Sequence, residues 1–447
     1  MSDTDTIAAV ATAPGRGAVG IVRVSGPRVP EIAATLLGRL PPPRRAMLGD
    51  FRAADGTVLD TGLALYFPAP HSFTGEHVLE LQGHGGSIIL DLLLERLMQL
   101  GCRPARPGEF SERAFLNDKL DLAQAEGIAD LIEASSRAAA RAALRTLRGE
   151  FSARVETLDA ALKRLRIYVE AAIDFPEEEI DFLNDAQLHD NLRRVFAQFN
   201  ALAKATRRGV LLNEGLRVVL VGEPNVGKSS LMNALAGEDV AIVTDVPGTT
   251  RDVLRQSVRI AGATLNLADT AGLRESGDAI EREGMRRARE EMGRADHVLL
   301  VLDANDPMPA EAELAAVPAG VPVTWVFNKI DRAGFSPRLE TNAVPPRVYL
   351  SATGGQGVDL LREHLATQAG LTGPEEGAFT ARRRHLVALE RAREHVERAA
   401  QVLQGGEGFE LFAEELRLAQ QQLASITGAY GSEELLGDIF QSFCIGK

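Results

Sequence analysis

The spacing of hydrophobic positions changes along the chain and first predicts a region that mixes strands and helices. In residues 1–118, short β-like runs alternate with Gly and Pro, and one longer stretch has helical spacing. The predicted strands are Ala18–Val24, Leu63–Phe67 and Val78–Gln82, and the predicted helix is Ser87–Leu100. Residues 1–118 are therefore expected to form an N-terminal α+β domain.

Residues 213–375 show a different pattern, in which continuous apolar runs alternate with helical stretches. The predicted strands are Leu216–Val221, Val253–Ile260, Leu265–Ala268, Val298–Leu302, Val323–Phe327 and Val348–Leu350. Because strands that are apolar on both faces are typical of a mainly parallel sheet covered by helices, this segment predicts an α/β domain.

Two helical segments, residues 119–212 and 376–447, flank the α/β segment. Ala, Leu, Arg and Glu dominate them, and the Pro within Phe175–Glu179 predicts a helix break. Neither segment is obviously complete alone, so we expect the α/β domain to be inserted into one helical domain. Two independent helical domains are the alternative. The predicted fold class is thus multidomain, α/β and α.

Charge and cysteine content narrow the class of protein. With 49 Lys and Arg against 62 Asp and Glu, the net charge of −13 argues against a general nucleic-acid coat protein. The two cysteines, Cys102 and Cys444, cannot supply a disulfide framework and suit a reducing compartment. The start of the chain lacks signal-peptide features, and no apolar run approaches the roughly 18–20 residues that span a bilayer. We expect a cytoplasmic protein without a membrane span.

A local basic surface remains compatible with this acidic balance. Arg137, Arg141, Arg145 and Arg148 share one face of a predicted helix and could contact an RNA backbone. The cluster Arg382–His385 carries the same ambiguity. A solvated or internally paired face is the alternative in both cases.

The segment Gly222–Ser229 matches the phosphate-loop pattern G-x-x-x-x-G-K-[ST] completely. It follows the apolar run Arg217–Val221 and opens the helix-like run Ser230–Leu235. Glycines let backbone N–H groups wrap phosphates, and the helix N-terminus favours negative charge. Lys228 would reach the β- and γ-phosphates, and the Ser229 hydroxyl would bind magnesium.

Three further motifs follow in the order expected of a GTP-binding domain of the Ras-like superfamily. Asp269–Gly272 ends a predicted strand and would face the magnesium ion and the γ-phosphate. Asn328–Asp331 follows another strand, and Asp331 could accept two hydrogen bonds that guanine offers and adenine does not. Ser351–Thr353 would support the base from its other side.

Leu273 occupies the position of the glutamine that orients water in Ras-like enzymes, so hydrolysis either uses another group or is very slow. Arg251 and Arg274 are candidate charge donors, although solvated switch-loop arginines are the alternative. Asn225 is a candidate ligand for a monovalent cation. The Pro–Gly-containing loop 240–252 is the expected switch segment, in which Thr250 or Thr249 would complete the magnesium shell.

The motif sequences G-E-P-N-V-G-K-S-S, T-D-V-P-G-T-T-R-D, D-T-A-G-L-R and N-K-I-D resemble those of the bacterial TrmE–Era–EngA-like GTPases. Phe73–Gly86, Arg106–Phe115 and Phe443–Lys447 narrow the resemblance to the MnmE (TrmE) family of tRNA-modifying GTPases, and the similarity runs nearly end to end.

This resemblance implies an N-terminal domain that dimerises and binds 5-formyltetrahydrofolate or 5,10-methylenetetrahydrofolate. It implies a helical domain interrupted by the GTPase domain. With the flavoprotein MnmG, in a heterotetramer, the family adds a carboxymethylaminomethyl or aminomethyl group to C5 of the wobble uridine of certain tRNAs. Potassium promotes facing of the two GTPase domains of the homodimer and stimulates GTP hydrolysis.

The resemblance also implies site residues, taken position by position. The folate site would use Arg23, Glu80, Lys119 and Lys447. Potassium would be bound by Asn225, Thr244, Val246 and Thr249, and magnesium by Ser229 and Thr250. Glu281 would position the attacking water, and Cys444 is a possible reactive thiol. The full set expected at the nucleotide is Asn225, Val226, Gly227, Lys228, Ser229, Ser230, Thr244, Asp245, Val246, Pro247, Gly248, Thr249, Thr250, Asp269, Thr270, Ala271, Gly272, Asn328, Lys329, Asp331, Ser351, Ala352 and Thr353.

A ribosome-assembly or RNA-binding switch akin to Era, in which GTP only gates association, is the competing interpretation. It leaves the motifs before residue 120 unexplained.

Overall fold

The computed structural model describes residues 5–174, 186–237, 255–260, 263–269, 292–293, 295–306, 308, 317, 320–369, 377–405, 408–430, 433–443 and 445–446. The chain divides into two compact units. Unit 1 comprises Met1–Ala129, Leu147–Leu192 and Arg391–Lys447, and unit 2 comprises Asp130–Thr146 and Arg193–Glu390. The predicted four-segment division, 1–118, 119–212, 213–375 and 376–447, stays a prediction.

Unit 1 contains a mixed sheet whose strand order is β3-β4-β5-β2-β1-β6. Its strands are β1 (Ile7–Val10), β2 (Gly17–Ser25), β3 (Met47–Arg52), β4 (Val58–Phe67), β5 (Val78–Gly85) and β6 (Arg103–Pro104). Neighbouring strands are antiparallel except β1 and β6, which pair in parallel. The three strands predicted from period-two spacing coincide with β2, β4 and β5, so the α+β prediction is confirmed.

Helices α1 (Val29–Leu37) and α2 (Ser87–Gln99) bury one face of this sheet. Side chains alternate across a strand, so Val22 and Val24 point into this core while Arg23, between them, lies on the opposite face. In the same way Leu79 and Leu81 are buried and Glu80 faces outward. The alternation therefore places a charged pair on the outer face of the sheet.

The rest of unit 1 is helical. The helices are α3 (Glu109–Leu116), the first part of α4 (Leu122–Glu133), α6 (Glu150–Asp174), α12 (Phe409–Thr427) and α13 (Glu433–Gln441). Leu122 and Ala125 of α4 pack against Phe440 and Phe443. Gln420 of α12 accepts a hydrogen bond from Arg166 of α6 at 2.7 Å, which fixes the contact between these two helices.

The helix break predicted at residues 175–179, after the described part of α6, lies outside the described residues and stays a prediction. Within the described residues, no helix combines the length and apolar character needed to cross a bilayer.

Unit 2 is built on a seven-stranded sheet with the order β12-β13-β11-β10-β7-β9-β8. The strands are β7 (Leu216–Val221), β8 (Arg255–Ile260), β9 (Ala263–Asp269), β10 (His297–Asp303), β11 (Val323–Asn328), β12 (Arg338–Glu340) and β13 (Arg347–Tyr349). Strands β9, β7, β10, β11 and β13 are parallel, and only the edge strands β8 and β12 are antiparallel. The prediction of a mainly parallel sheet is confirmed; the short, polar β12 gave no hydrophobic signal.

Helices α8 (Lys228–Ala236) and α10 (Val358–Gln368) pack on one face of this sheet, and the short helix α9 (Ile330–Ala333) follows β11. The remaining helices of unit 2 are α5 (Arg137–Leu147), the later part of α7 (Ala186–Glu214) and the first part of α11 (Arg383–Gly405). Because parallel strands end at the same edge, the loops after β7, β10, β11 and β13 gather there.

The chain segments that precede β7 and follow the α/β part lie side by side within unit 2. Arg383 donates from Nε to Glu214 at 3.0 Å, and its Nη2 lies 2.9 Å and 3.0 Å from the two oxygens of Asp296. Asp296 in turn accepts a hydrogen bond from the backbone N–H of Arg217 at 2.9 Å. One arginine thus joins the end of α7, the start of β7 and the residue before β10.

Candidate functional site

The phosphate-loop sequence forms the expected turn between β7 and α8. Gly227 caps α8 in the left-handed region with a φ of 97°, and a side chain there would clash with Asn328. Asn225 also has a positive φ, 64°, which asparagine tolerates better than most residues. The glycine is therefore required both by the backbone conformation and by the close approach of Asn328.

Lys228 places a buried ammonium group inside this loop. Only 4% of the residue is exposed, and Nζ donates to the carbonyl oxygens of Gly222 at 2.6 Å and Glu223 at 2.8 Å. The carbonyl oxygens hold the charge at the loop, where a phosphate would be attracted to it. Ser229, Ser230 and Asn225 are exposed beside it.

Asn328 connects the phosphate loop to the loop after β13. Its side chain is buried; Nδ2 donates to the carbonyl oxygen of Val226 at 2.9 Å, and Oδ1 accepts from the N–H of Ala352 at 2.9 Å. Because both the Nδ2 and the Oδ1 of this amide are hydrogen-bonded, the two loops and the end of β11 form one hydrogen-bonded unit.

The base-recognition motifs meet at the same edge of the sheet. Ser351 is buried and its Oγ accepts a hydrogen bond from Gly354 N–H at 3.1 Å, which closes the turn. Asp331, in the first turn of α9, and Thr353 are exposed. The structure thus leaves the Asp331 carboxylate accessible to hydrogen-bond donors of a base.

Lys329 makes a contact that the motif did not predict. Its φ is 64°, and its Nζ lies 2.8 Å from Oδ2 of Asp303, the last residue of β10. The hydrogen bond from Lys329 lowers the pKa of Asp303 to about 2. The sequence feature that could have identified Asp303 is its position at the carboxyl end of a predicted parallel strand, where ligand-binding residues gather.

Several predicted nucleotide residues cannot be placed. The backbone of Asp269 ends β9 and pairs in register with Leu220, next to the phosphate loop. Lying outside the described residues are Thr244, Asp245, Val246, Pro247, Gly248, Thr249, Thr250, Arg251, Thr270, Ala271, Gly272, Leu273, Arg274 and Glu281.

A second candidate site lies on the outer face of the unit 1 sheet. Arg23 donates to Oε1 of Glu80 from Nε at 3.0 Å and from Nη2 at 2.9 Å, across the paired strands β2 and β5. Its Nη1 also lies 3.5 Å from the carbonyl oxygen of Gly446, and its guanidinium lies 5.6 Å from the Phe73 ring centre. The structure therefore joins two of the predicted folate residues to the C-terminal motif.

Of the other two folate candidates, the structure describes only Lys119. Lys119 is exposed. Lys447 and Cys444 lie outside the described residues.

An ionic network in unit 1 also escaped sequence reasoning. Glu109 is buried and accepts hydrogen bonds from Arg103, Arg113 and the N–H of Arg106. Burial alone would raise its pKa, but these hydrogen bonds hold the pKa of Glu109 below its usual value. Glu109 and Arg113 belong to the segment Arg106–Phe115, so the network fixes that motif.

The basic clusters are partly engaged within unit 2. Arg137 and Arg141 are exposed, whereas Arg145 donates to the carbonyl oxygen of Ala378 at 3.4 Å. Arg382 pairs at 2.9 Å with Asp130, whose side chain is buried, and Arg383 pairs as described above. The structure therefore favours internal pairing for the Arg382–His385 cluster.

A strand–loop–helix phosphate site, joined through one buried asparagine to an N-K-x-D base loop, defines a P-loop nucleotide-binding protein of the guanine-specific type. Comparison with known proteins agrees. A family model described as the MnmE helical domain matches residues 122–444, and one described as the GTP-binding protein TrmE N-terminus matches residues 6–119. The chain is 57% identical over 454 residues to the tRNA modification GTPase MnmE of Sodalis glossinidius (strain morsitans), covering 100% of both. The chain belongs to the MnmE family of tRNA modification GTPases.

Solved structures with local similarity include two from other GTP-binding proteins. The G domain of the FeoB iron transporter of T. maritima is 29% identical with a TM-score of 0.27, covering 34% of this chain and 98% of that one. A variant of Era from Aquifex aeolicus, bound to GDP.AlF4-, is 27% identical with a TM-score of 0.27, covering 40% and 66%.

Proposed function

We propose that this protein hydrolyses GTP as a subunit of the cytoplasmic complex that modifies the wobble uridine of certain tRNAs. With the flavoprotein MnmG, in a heterotetramer, it would add a carboxymethylaminomethyl or aminomethyl group to C5 of that uridine. The observation that carries the proposal is the buried Asn328, which ties the phosphate loop to the base loop in a chain 57% identical to an MnmE over full length.

The nucleotide would bind along the edge formed by these loops. The backbone N–H groups of the Gly222–Ser229 loop and the Lys228 ammonium would bind the phosphates, and Asp331 would select guanine through two hydrogen bonds. Asn328 is hydrogen-bonded to both Val226 and Ala352, so the phosphate end and the base end of the site keep a fixed separation. Thr353 and Ser351 would border the base.

Magnesium, when bound, would neutralise charge on the phosphates. Ser229 fits it, because its hydroxyl is exposed in the first turn of α8, next to Lys228. As the family resemblance implies, the protein's magnesium ligands would be the hydroxyl groups of Ser229 and Thr250.

Potassium, when bound, would supply positive charge next to the phosphates. Asn225 fits as a ligand, because its exposed carboxamide sits on the phosphate loop in a fixed positive-φ turn. Thr244, Val246 and Thr249 would contribute further oxygens, Glu281 would position the attacking water, and facing GTPase domains of a homodimer would stimulate hydrolysis.

The Arg23–Glu80 pair would bind the folate, 5-formyltetrahydrofolate or 5,10-methylenetetrahydrofolate. The register of β2 and β5 places Arg23 opposite Glu80, and Arg23 donates from two nitrogens to the single oxygen Oε1. Glu80 Oε2 accepts no hydrogen bond within the described part of the chain, so it is available to N–H groups of a pterin ring. Lys119 and Lys447 would bind glutamate carboxylates, and Cys444 would be a reactive thiol.

Dimerisation through unit 1 is supported by an apolar area on the outer face of its sheet. Leu48 and Leu63 are paired across β3 and β4 and are 70% and 39% exposed, and Val19 is 58% exposed. Large side chains grouped on a sheet face favour association with a second apolar surface. We propose that a second copy of the chain covers this face.

The decisive experiment is nucleoside analysis of wobble positions in tRNA from cells that lack this protein. We expect the C5 substituents to be absent, to return with the wild-type protein, and not to return with Lys228→Ala. Normal wobble nucleosides in the deleted cells would contradict the proposal and favour the Era-like RNA-binding switch.

GTP binding is tested separately with the purified protein. Asp331→Asn should shift the base preference from guanine to xanthine nucleotides, because the amide reverses the hydrogen-bond pattern. Retained guanine selectivity would contradict the assignment of Asp331.

A further inference from the structure

Asp303 and Lys329 form a contact between two parallel strand ends beside the base-recognition motif. Asp303 is the last residue of β10 and pairs in register with Asn328, the last residue of β11. The N–H of Ala304 donates to the carbonyl oxygen of Asn328 at 2.8 Å, which holds the two strand ends together. Lys329 follows at once, in the left-handed region, and its ammonium lies 2.8 Å from Asp303 Oδ2.

Hydrogen bonds within its own turn also orient the Asp303 carboxylate. Its Oδ1 accepts hydrogen bonds from the backbone N–H of Asn305 at 3.0 Å and from Asn305 Nδ2 at 2.9 Å. The backbone N–H of Asp306 donates to the Asp303 carbonyl oxygen at 2.9 Å and closes the turn. Oδ1 is thus occupied within the turn, and Oδ2 is presented to the Lys329 ammonium.

The contact has the exposure expected of a binding element. The Lys329 and Asp303 side chains are 24% and 27% exposed, so the pair is partly open to solvent. The pair restricts a long side chain that would otherwise sample many rotamers. The restricted side chain stands two residues before Asp331, in the same short helical turn.

We propose that Asp303 is a positioning residue for the guanine base, acting through Lys329. Asp303 holds the Lys329 ammonium so that the four-carbon stem and the charge of Lys329 stand ready beside the flat face of the purine whose edge Asp331 binds. Asn305 supports this role by fixing the carboxylate. The inference rests on the proposed GTP binding and adds to it a residue outside the N-K-x-D motif.

The test measures GDP and GTP binding by calorimetry to the full-length protein and to Asp303→Asn. The variant keeps the size of the side chain and removes its charge. We expect Kd to rise about tenfold, by the same factor for GDP and GTP, because the change acts at the base and not at the phosphates. Asp303→Glu should recover part of the loss, and Asp306→Asn, an exposed carboxylate three residues along, should bind like the wild type.

A double-mutant comparison separates positioning from general damage to the loop. Lys329→Met should weaken binding, and Asp303→Asn added to it should have no further effect, because Asp303 then has no ammonium to hold. Multiplicative effects of the two substitutions, or wild-type affinity of Asp303→Asn, would overturn the positioning role. Failure of the wild-type protein to bind GDP would instead overturn the proposed function on which the role depends.

Discussion

Asn328 donates a hydrogen bond to the carbonyl oxygen of Val226 at 2.9 Å, although the two residues lie about a hundred positions apart in sequence. The same side chain accepts a hydrogen bond from Ala352. A nucleotide that spans the site would therefore meet two loops whose separation is set by one amide. Neither loop can move without breaking a buried hydrogen bond.

Asn328→Ala should impair both ends of the nucleotide site. It leaves the carbonyl oxygen of Val226 and the N–H of Ala352 without this partner, at about 1–3 kcal/mol for each group that stays buried. We expect GDP affinity to fall at least tenfold and thermal stability to fall with it. The matched control is Asn342→Ala, at an exposed position of unit 2. Unchanged affinity in Asn328→Ala would show that the loops are held by other contacts.

GTP hydrolysis should be faster in potassium than in sodium. Asn225 presents its carboxamide on the phosphate loop, and a cation bound there would supply charge next to the phosphates. Asn225→Ala should abolish the difference between the two salts, while Asn233→Ala, an exposed position of α8, should retain it. The measurement is the phosphate release rate at equal ionic strength. Equal wild-type rates in both salts would count against a cation at Asn225.

The stability of unit 2 should fall as the pH drops below about 6.5. His297 and His364 are buried on either side of the Thr324 hydroxyl, at 2.8 Å and 2.9 Å. Burial, with a smaller effect of His364, lowers the pKa of His297 to about 4. The unfolded chain, with an ordinary histidine pKa of about 6.5, then binds more protons than the native state between pH 6.5 and 4, so the free energy of unfolding decreases as the pH falls.

The size of this effect can be measured by urea unfolding followed by Trp325 fluorescence, since the protein contains one tryptophan and it lies in β11 beside Thr324. From pH 7 to 4.5 the wild type should lose about 2–3 kcal/mol more than His297→Gln, as expected for a pKa shift of this size. Parallel pH profiles of the two proteins would mean that His297 is not kept neutral by burial.

Leu63→Glu should dissociate the proposed homodimer into monomers. The substitution places a charge within the apolar face formed with Leu48 and Val19, where association would have to desolvate it. Sedimentation of wild type and variant measures the change, and circular dichroism checks the fold. Val344→Glu, at a 95% exposed valine of unit 2, is the control. A dimeric Leu63→Glu would place the interface elsewhere.

The part of the site that could be predicted from sequence is the part whose functional residues lie close together along the chain. The phosphate loop carries its glycines, lysine and serine within Gly222–Ser229, and the strand before it is apolar except for Arg217. Asp303 was missed because its partner Lys329 is distant in sequence and an aspartate after a strand has many structural uses. Only the parallel register of β10 and β11 brings the two together.

The unit 1 site shows a similar limit. Arg23 and Glu80 were assigned through family resemblance, because each alone looks like a surface charge. Their pairing follows from the antiparallel register of β2 and β5. The alternation of side chains along a strand predicts which face each residue lies on, but not which residue of the neighbouring strand lies opposite it. For Arg382 and Arg383 the sequence left a basic, RNA-binding surface open as an interpretation. In the structure both arginines form ion pairs with acidic residues that are distant in sequence.

The ion pair of Arg383 with Glu214 has a practical consequence for protein engineering. Arg383 Nε lies 3.0 Å from Glu214 Oε2, so the two ends of the intervening α/β segment lie close together. A flexible linker of a few residues could bridge that gap. Such a linker should therefore allow the segment from Gly215 to Arg382 to be excised while helices α7 and α11 stay joined.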